Sequence, residues 1–117
     1  MLPAGNRLRH APEFASAVRG GRRSGRNSLV LHLRTSDRPE PAPVRIGLVV
    51  GKSVGPAVVR NRVKRRLREV LRARLGALPV GSVLVVRALP PAARATSVSL
   101  AADVDAGLAR LLPGARS

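Results

Sequence analysis

VVRNRVKRRLREVLR, residues 58–72, decides how the whole chain is read. Seven of its fifteen residues are Arg or Lys, and one, Glu69, is acidic. Val59, Val63, Leu67, Val70 and Leu71 recur at the 3.6-residue period of an amphipathic helix and form one apolar stripe. Arg60, Lys64, Arg68 and Arg72 make an i,i+4 row beside that stripe, and Arg62, Arg65 and Arg66 fill much of the remaining surface. Each like-charge pair at this spacing costs about 0.2–0.5 kcal/mol, and Glu69 can relieve only part of it by pairing with Arg65 or Arg66. A phosphate backbone reverses the sign of that cost through charge-assisted hydrogen bonds and counterion release. Gly55-Pro56 opens the helix and Gly76 closes it. Arg60, Asn61 and Arg62 fall in its first turns, where the dipole and the free N–H groups also favour phosphate.

Working outward, VRIGLVVGK (44–52) alternates as a strand, with Val44, Ile46, Leu48 and Val50 on one face and Arg45, Gly47 and Val49 on the other. SLVLHLRT (28–35) does the same, with Leu29, Leu31 and Leu33 opposed to Val30, His32 and Arg34. The Pro-rich SDRPEPAP (36–43) between them predicts a turn, so the two strands are expected to pair as a hairpin. SVLVVRAL (82–89) is apolar on both faces, which predicts a central strand. Pro90-Pro91 breaks the chain. A last amphipathic helix follows over 96–112, capped by Thr96 or Ser97, with Leu100, Val104, Leu108 and Leu111 inward and Pro113-Gly114 as its stop. APEFASAVRGG (11–21) predicts a short first helix in which Phe14 and Val18 share a face. The order helix–strand–strand–helix–strand–helix predicts an α+β fold, a small two-layer sandwich on one sheet. The 117 residues are expected to form a single domain, 1–117, with its core over about 7–112.

The formal charge is +16, from 22 basic and six acidic residues. That exceeds the magnitude of about 2–8 usual for a small domain and points to a polyanionic partner, nucleic acid before an anionic membrane. A codon bias toward Arg explains why only Lys52 and Lys64 are lysines, but not the imbalance between bases and acids. The chain lacks cysteine, which excludes disulfides and thiolate metal sites and suits a reducing cytoplasm. Its apolar runs are too short to span a bilayer.

The inventory argues against catalysis by the protein's own side chains. Glu13, Asp37, Glu40, Glu69, Asp103 and Asp105 are all the carboxylates there are, and a two-metal nuclease needs several converging. Asp103 and Asp105, at i,i+2 on a helix, point apart. GKSVG (51–55) lacks the spacing of a phosphate-binding loop. A ribosomal or other structural RNA-binding protein without an enzymatic partner fits this composition. A major-groove DNA reader fits less well, because the charge covers too many faces of the 56–75 helix.

RNRVKRRLREVL resembles the arginine–asparagine–arginine motif of the bacterial ribonuclease P protein subunit family. RIGLVVGKSVGPAVV resembles that family's strand and loop before the motif, NRLRHAPEF its opening segment and VLVVRAL its following strand. The resemblance spans roughly residues 5–112 and is most specific over 46–69. It implies a protein that binds the catalytic RNA of ribonuclease P and assists endonucleolytic removal of the 5′ leader from precursor tRNA, with Mg2+ held through the RNA and no cofactor bound by the protein alone. It implies that Arg60, Asn61, Arg62, Lys64, Arg65 and Arg68 face the catalytic RNA. It also implies a left-handed strand–helix–strand crossover, as in folds like domain 2 of ribosomal protein S5, an exception to the usual handedness.

The resemblance further implies a leader-binding cleft between the first helix and the sheet, at Phe14, Val18, His32, Arg34, Arg45, Lys52 and Ser53. Here the chain departs from the family, which usually carries aromatics at the positions of Val18 and His32. Stacking on aromatics holds unpaired bases at about 1–3 kcal/mol each, and Phe14 is the only aromatic residue in the sequence. Arg stacking and phosphate contacts are the alternative means of holding the leader.

Overall fold

The computed structural model describes residues 4–8, 17–35 and 43–112. Residues 17–20 are helical. Four strands follow, β1 (Arg22–Gly25), β2 (Leu29–Arg34), β3 (Arg45–Val49) and β4 (Val83–Ala88), with two long helices, α1 (Ala57–Arg72) between β3 and β4 and α2 (Ser97–Leu111) after them. The strands make one mixed sheet in the order β1-β2-β4-β3.

The expected hairpin between the second and third sequence segments does not form. β4 lies between β2 and β3, antiparallel to the first and parallel to the second. The reason is written in β4 itself: Val83, Leu84, Val85 and Val86 are all buried, so the strand must have neighbours on both edges and cover on both faces. The parallel β3–β4 pair then makes α1 the crossover between them. β1 adds a fourth strand, RRSG, that hydrophobic patterning does not announce. It is a short edge strand paired with β2, Arg22 opposite Leu33 and Arg23 opposite His32.

Alternation along the strands sorts the sheet into two faces. Leu29, Leu31, Leu33, Ile46, Leu84, Val86 and Ala88 face α1 and α2 and build the main core with Val63, Leu67, Leu71, Leu100, Val104 and Leu108. The helices start where the sequence places them. Pro56 precedes α1, and the Thr96 side chain accepts a hydrogen bond from Ser99 N at the start of α2. α1 ends at Arg72, before Gly76, and a short 3-10 turn, Leu75–Ala77, follows. At the other end of the molecule Arg22 donates to the carbonyls of Leu111 (3.1 Å) and Arg110 (3.4 Å), supplying a cation to the C-terminus of α2.

The opposite sheet face is covered differently. Leu8, Ala17, Val83 and Val85 form a second, smaller cluster, so the 17–20 helical stretch sits against this face. Gly21 makes that approach possible. A Cβ there would stand 2.5 Å from the Ala17 carbonyl oxygen and 2.6 Å from that of Leu33. Along the outer side of β3, Asn6 donates its side-chain amide to Val44 O (2.7 Å) and Leu8 N to Ile46 O (2.9 Å).

Candidate nucleic-acid interface

The basic helix presents two different flanks. On the flank toward α2, Arg62 donates to Ala93 O (3.0 Å) and Arg66 to Ala95 O (2.8 Å), tying α1 to the 3-10 turn Pro90–Arg94 that leads into α2. Beyond the end of α1, Arg74 grips Asp105 with Nε (2.6 Å) and a terminal nitrogen (3.0 Å). These bonds hold the Asp105 carboxyl below its ordinary range, and the guanidinium is raised in return. On the opposite flank and the outward side lie Arg60, Asn61, Lys64, Arg65, Arg68 and Arg72, as 3.6 residues per turn requires. Asn61, Arg65 and Arg72 are exposed; Arg60, Lys64 and Arg68 are half-buried. Arg60 Nε donates to Gly55 O (3.1 Å), which directs that side chain back over the start of the helix. Gly55 itself has φ +153, and a Cβ there would press on Val59 at 3.1 Å, so the turn into the helix is made for glycine.

The sheet face away from α1 and α2 carries the other predicted residues. His32 stands opposite Val85, which stands opposite Gly47. The next row toward one end is Arg34–Val83–Arg45, and the next toward the other is Val30–Arg87–Val49. Beyond Val49 the chain reaches Lys52 and Ser53, both exposed in the turn before α1. Val18, on the helical stretch over this face, is 44% exposed while its neighbour Ala17 is fully buried. The structure therefore brings Val18, His32, Arg34 and Arg45 to one face, and Lys52 and Ser53 to the end of it that adjoins the start of α1. Phe14 lies outside the described residues.

Two residues of this face escape a reading of the sequence alone. Arg23 on β1 stands directly opposite His32, and Arg87 on β4 lies one row away. Nothing in RRSG or VLVVRA marks them, because only cross-strand register puts them beside His32. Both act on the histidine. Burial first, then the charges of Arg23 and Arg87, lower the His32 pKa below the ordinary 6.5, so the imidazole is neutral at pH 7.

Asp103 accepts from the backbone N (3.0 Å) and hydroxyl of Ser28, Asp105 is held by Arg74, and no three of His, Cys, Asp or Glu gather among the described residues. No helix of the described residues is long and apolar enough to cross a membrane.

A two-layer α+β domain with a cationic helix on one side of its sheet and arginines along the other defines a nucleic-acid-binding protein. Comparison with known proteins narrows the class. The Ribonuclease P family profile matches residues 2–112. The ribonuclease P protein component of Streptomyces avermitilis is 56% identical over 120 residues, covering 97% of this chain and 98% of that protein. That of Beutenbergia cavernae is 56% identical over 111 residues, covering 95% and 92%. In three dimensions the chain resembles the ribonuclease P protein of Thermotoga maritima (TM-score 0.73, 25% identity, 92% of this chain and 98% of that one). It shares the fold of the Staphylococcus aureus protein (TM-score 0.77, 22% identity, 92% and 98% covered). The chain belongs to the ribonuclease P protein family.

Proposed function

We propose that this chain works in the cytoplasm as the protein subunit of a ribonuclease P holoenzyme, binding the catalytic RNA with α1 and the 5′ leader of precursor tRNA in the cleft on the other side of the sheet. The observation that carries the reading is the basic helix. Its apolar stripe is buried, and its outward surface is cationic where a solvated helix normally mixes signs. Arg60, Asn61, Lys64, Arg65 and Arg68 meet the RNA backbone, and Arg62 joins them with guanidinium N–H groups not used on Ala93. The cleft lined by Phe14, Val18, His32, Arg34, Arg45, Lys52 and Ser53 takes the leader, so one sheet fixes the two RNA contacts relative to each other.

The chemistry is hydrolysis of one phosphodiester bond at the mature 5′ end, and it belongs to the RNA. Divalent metal ions held by that RNA supply charge neutralisation and an activated water. The protein's residues bind and position. Each Arg or Lys that neutralises a phosphate takes over work otherwise done by condensed counterions, so the protein lowers the magnesium concentration at which the complex is competent. The test is cleavage of precursor tRNA at low magnesium by a bacterial ribonuclease P RNA, with and without this protein. Stimulated cleavage at the mature 5′ end is the expected result. Tight RNA binding with no stimulation would reassign the chain to structural RNA binding.

A further inference from the structure

We propose that Arg23 and Arg87 are a phosphate clamp for the leader, carrying it across the sheet face by charge where this chain lacks the aromatic residues that usually stack its bases. The proposal rests on the cleft reading above and adds two residues and a mode of binding to it.

The argument begins with what is accessible. His32 is only 6% exposed, so its ring offers little surface to a base. Val30 and Val85 beside it are buried as well. The exposed groups at this place are the side chains of Arg23 and Arg87, which flank the histidine from β1 and β4. Neither is paired with a carboxylate among the described residues, and of the three carboxylates described, Asp103 and Asp105 are engaged elsewhere by Ser28 and Arg74. The strands that carry the two arginines are separated by β2 alone, which sets their backbones about 10 Å apart. At Gly25, at the β1 end of the row Gly25–Val30–Arg87, no atom lies within 4 Å of where a Cβ would stand, so the surface at that end of the row is open. Both arginines place their charge beside the histidine, whose pKa is lowered first by its burial and then by Arg23 and Arg87. The same charge acts on any anion brought to this face.

The chemistry that fits is a flexible single strand of phosphodiesters. Guanidinium forks bind phosphate with two parallel hydrogen bonds, and a backbone crossing both of them passes over the neutral His32 without adding a third repelling charge. Binding of this kind is strongly salt-dependent and tolerant of base sequence.

The test uses the reconstituted holoenzyme, precursor tRNA with an unstructured leader, and the same tRNA without a leader. Affinity is measured for both across a fourfold range of monovalent salt, with wild type, Arg23→Ala, Arg87→Ala and Arg23→Lys. Each Ala variant is expected to lower the leader-dependent part of the log–log salt slope by about 0.7, which is a change of about 2.6-fold over that salt range. Arg23→Lys should keep the slope. A photo-crosslinker on Val18→Cys reports separately whether the leader occupies the cleft. A persisting crosslink with unchanged slopes in both Ala variants would overturn the clamp and leave the cleft reading standing. Equal losses for leader-bearing and leaderless tRNA would also overturn it, placing the arginines on another part of the RNA. No crosslink and no leader-dependent gain in the wild type would overturn the cleft reading, and the clamp with it.

Discussion

Arg65 and Arg66 are adjacent, identical in charge and part of one basic run, yet the structure gives them different surroundings. Arg65 is exposed on the outward side of α1, whereas Arg66 donates to Ala95 O at 2.8 Å. A hydrogen bond from a charged group contributes about 1.5–3 kcal/mol, and Arg66 is only half-buried, so Arg66→Ala should destabilise folding by about 1–2 kcal/mol. For a domain of this size that is a fall in Tm of roughly 4–8 °C. Its salt slope for binding a bacterial ribonuclease P RNA should stay at the wild-type value. Arg65→Ala should leave stability within about 0.5 kcal/mol and reduce the salt slope by about 0.9, the loss of one phosphate contact. Between 50 and 200 mM salt this is a change of about 3.5-fold in the salt response. Urea unfolding of the free protein and filter binding over a salt series give both numbers. The division of the helix into a docking flank and an RNA flank is refuted if Arg66→Ala folds with wild-type stability and loses slope, or if Arg65→Ala leaves the slope untouched.

Four other outcomes follow from the packing and the titrating groups. The folded-state pKa of His32 lies below 6.5, so the unfolded chain takes up the proton first. The stability this supplies is complete above that value and is lost as pH falls from it toward the folded pKa; urea midpoints of the wild type should drop between pH 7.5 and 5.5, and His32→Phe should remove that drop. Asp105 has a depressed folded pKa, so its contribution is present above the ordinary carboxylate range and disappears as pH falls through the folded value; its carboxylate is largely exposed, and Asp105→Asn should cost no more than about 1 kcal/mol at pH 7 while flattening the acid side of the stability profile. Gly21→Ala forces a methyl against two carbonyl oxygens and should destabilise folding by several times the effect of Gly20→Ala, where the corresponding space is empty, in parallel thermal melts. Leu67 is fully buried under the sheet, and Leu67→Ala should cost about 2–5 kcal/mol by equilibrium unfolding.

Much of this molecule is legible in its residues because most elements bury one face. The 3.6-residue stripes of α1 and α2 and the alternation in β2 and β3 each locate an element and its inner side. Two-sided apolarity correctly places β4 in the middle of the sheet. What misleads is proximity in sequence. The short Pro-rich link between β2 and β3 suggests a hairpin, but pairing follows burial, and β4 is the strand able to fill a doubly covered centre. β1 is invisible to patterning because RRSG has no apolar residue; its position comes from register with β2, and its Arg22 is fixed by the C-terminus of α2. The same limit applies to the cleft. His32, Arg34 and Arg45 can be placed on the face away from the main core by alternation, but the neighbourhood of Arg23, His32 and Arg87 is a property of cross-strand partners. Likewise the charges of α1 look equivalent along the chain, and only the carbonyls of Ala93 and Ala95 tell Arg62 and Arg66 from the rest.

The segment along β3 has a consequence for the protein's life before it meets RNA. An uncovered strand flank is a template on which other chains polymerise. Asn6 and Leu8 occupy the backbone groups of Val44 and Ile46 on that side, and the far side of the sheet ends in a four-residue strand carrying two arginines. Newly made copies thus have neither a bare rim to zip onto nor an uncharged one, and the same cationic surface that awaits phosphate keeps them apart. The perimeter of the sheet in this sense opposes edge-to-edge pairing between copies, and trimming the first eight residues should show up as turbidity of the free protein.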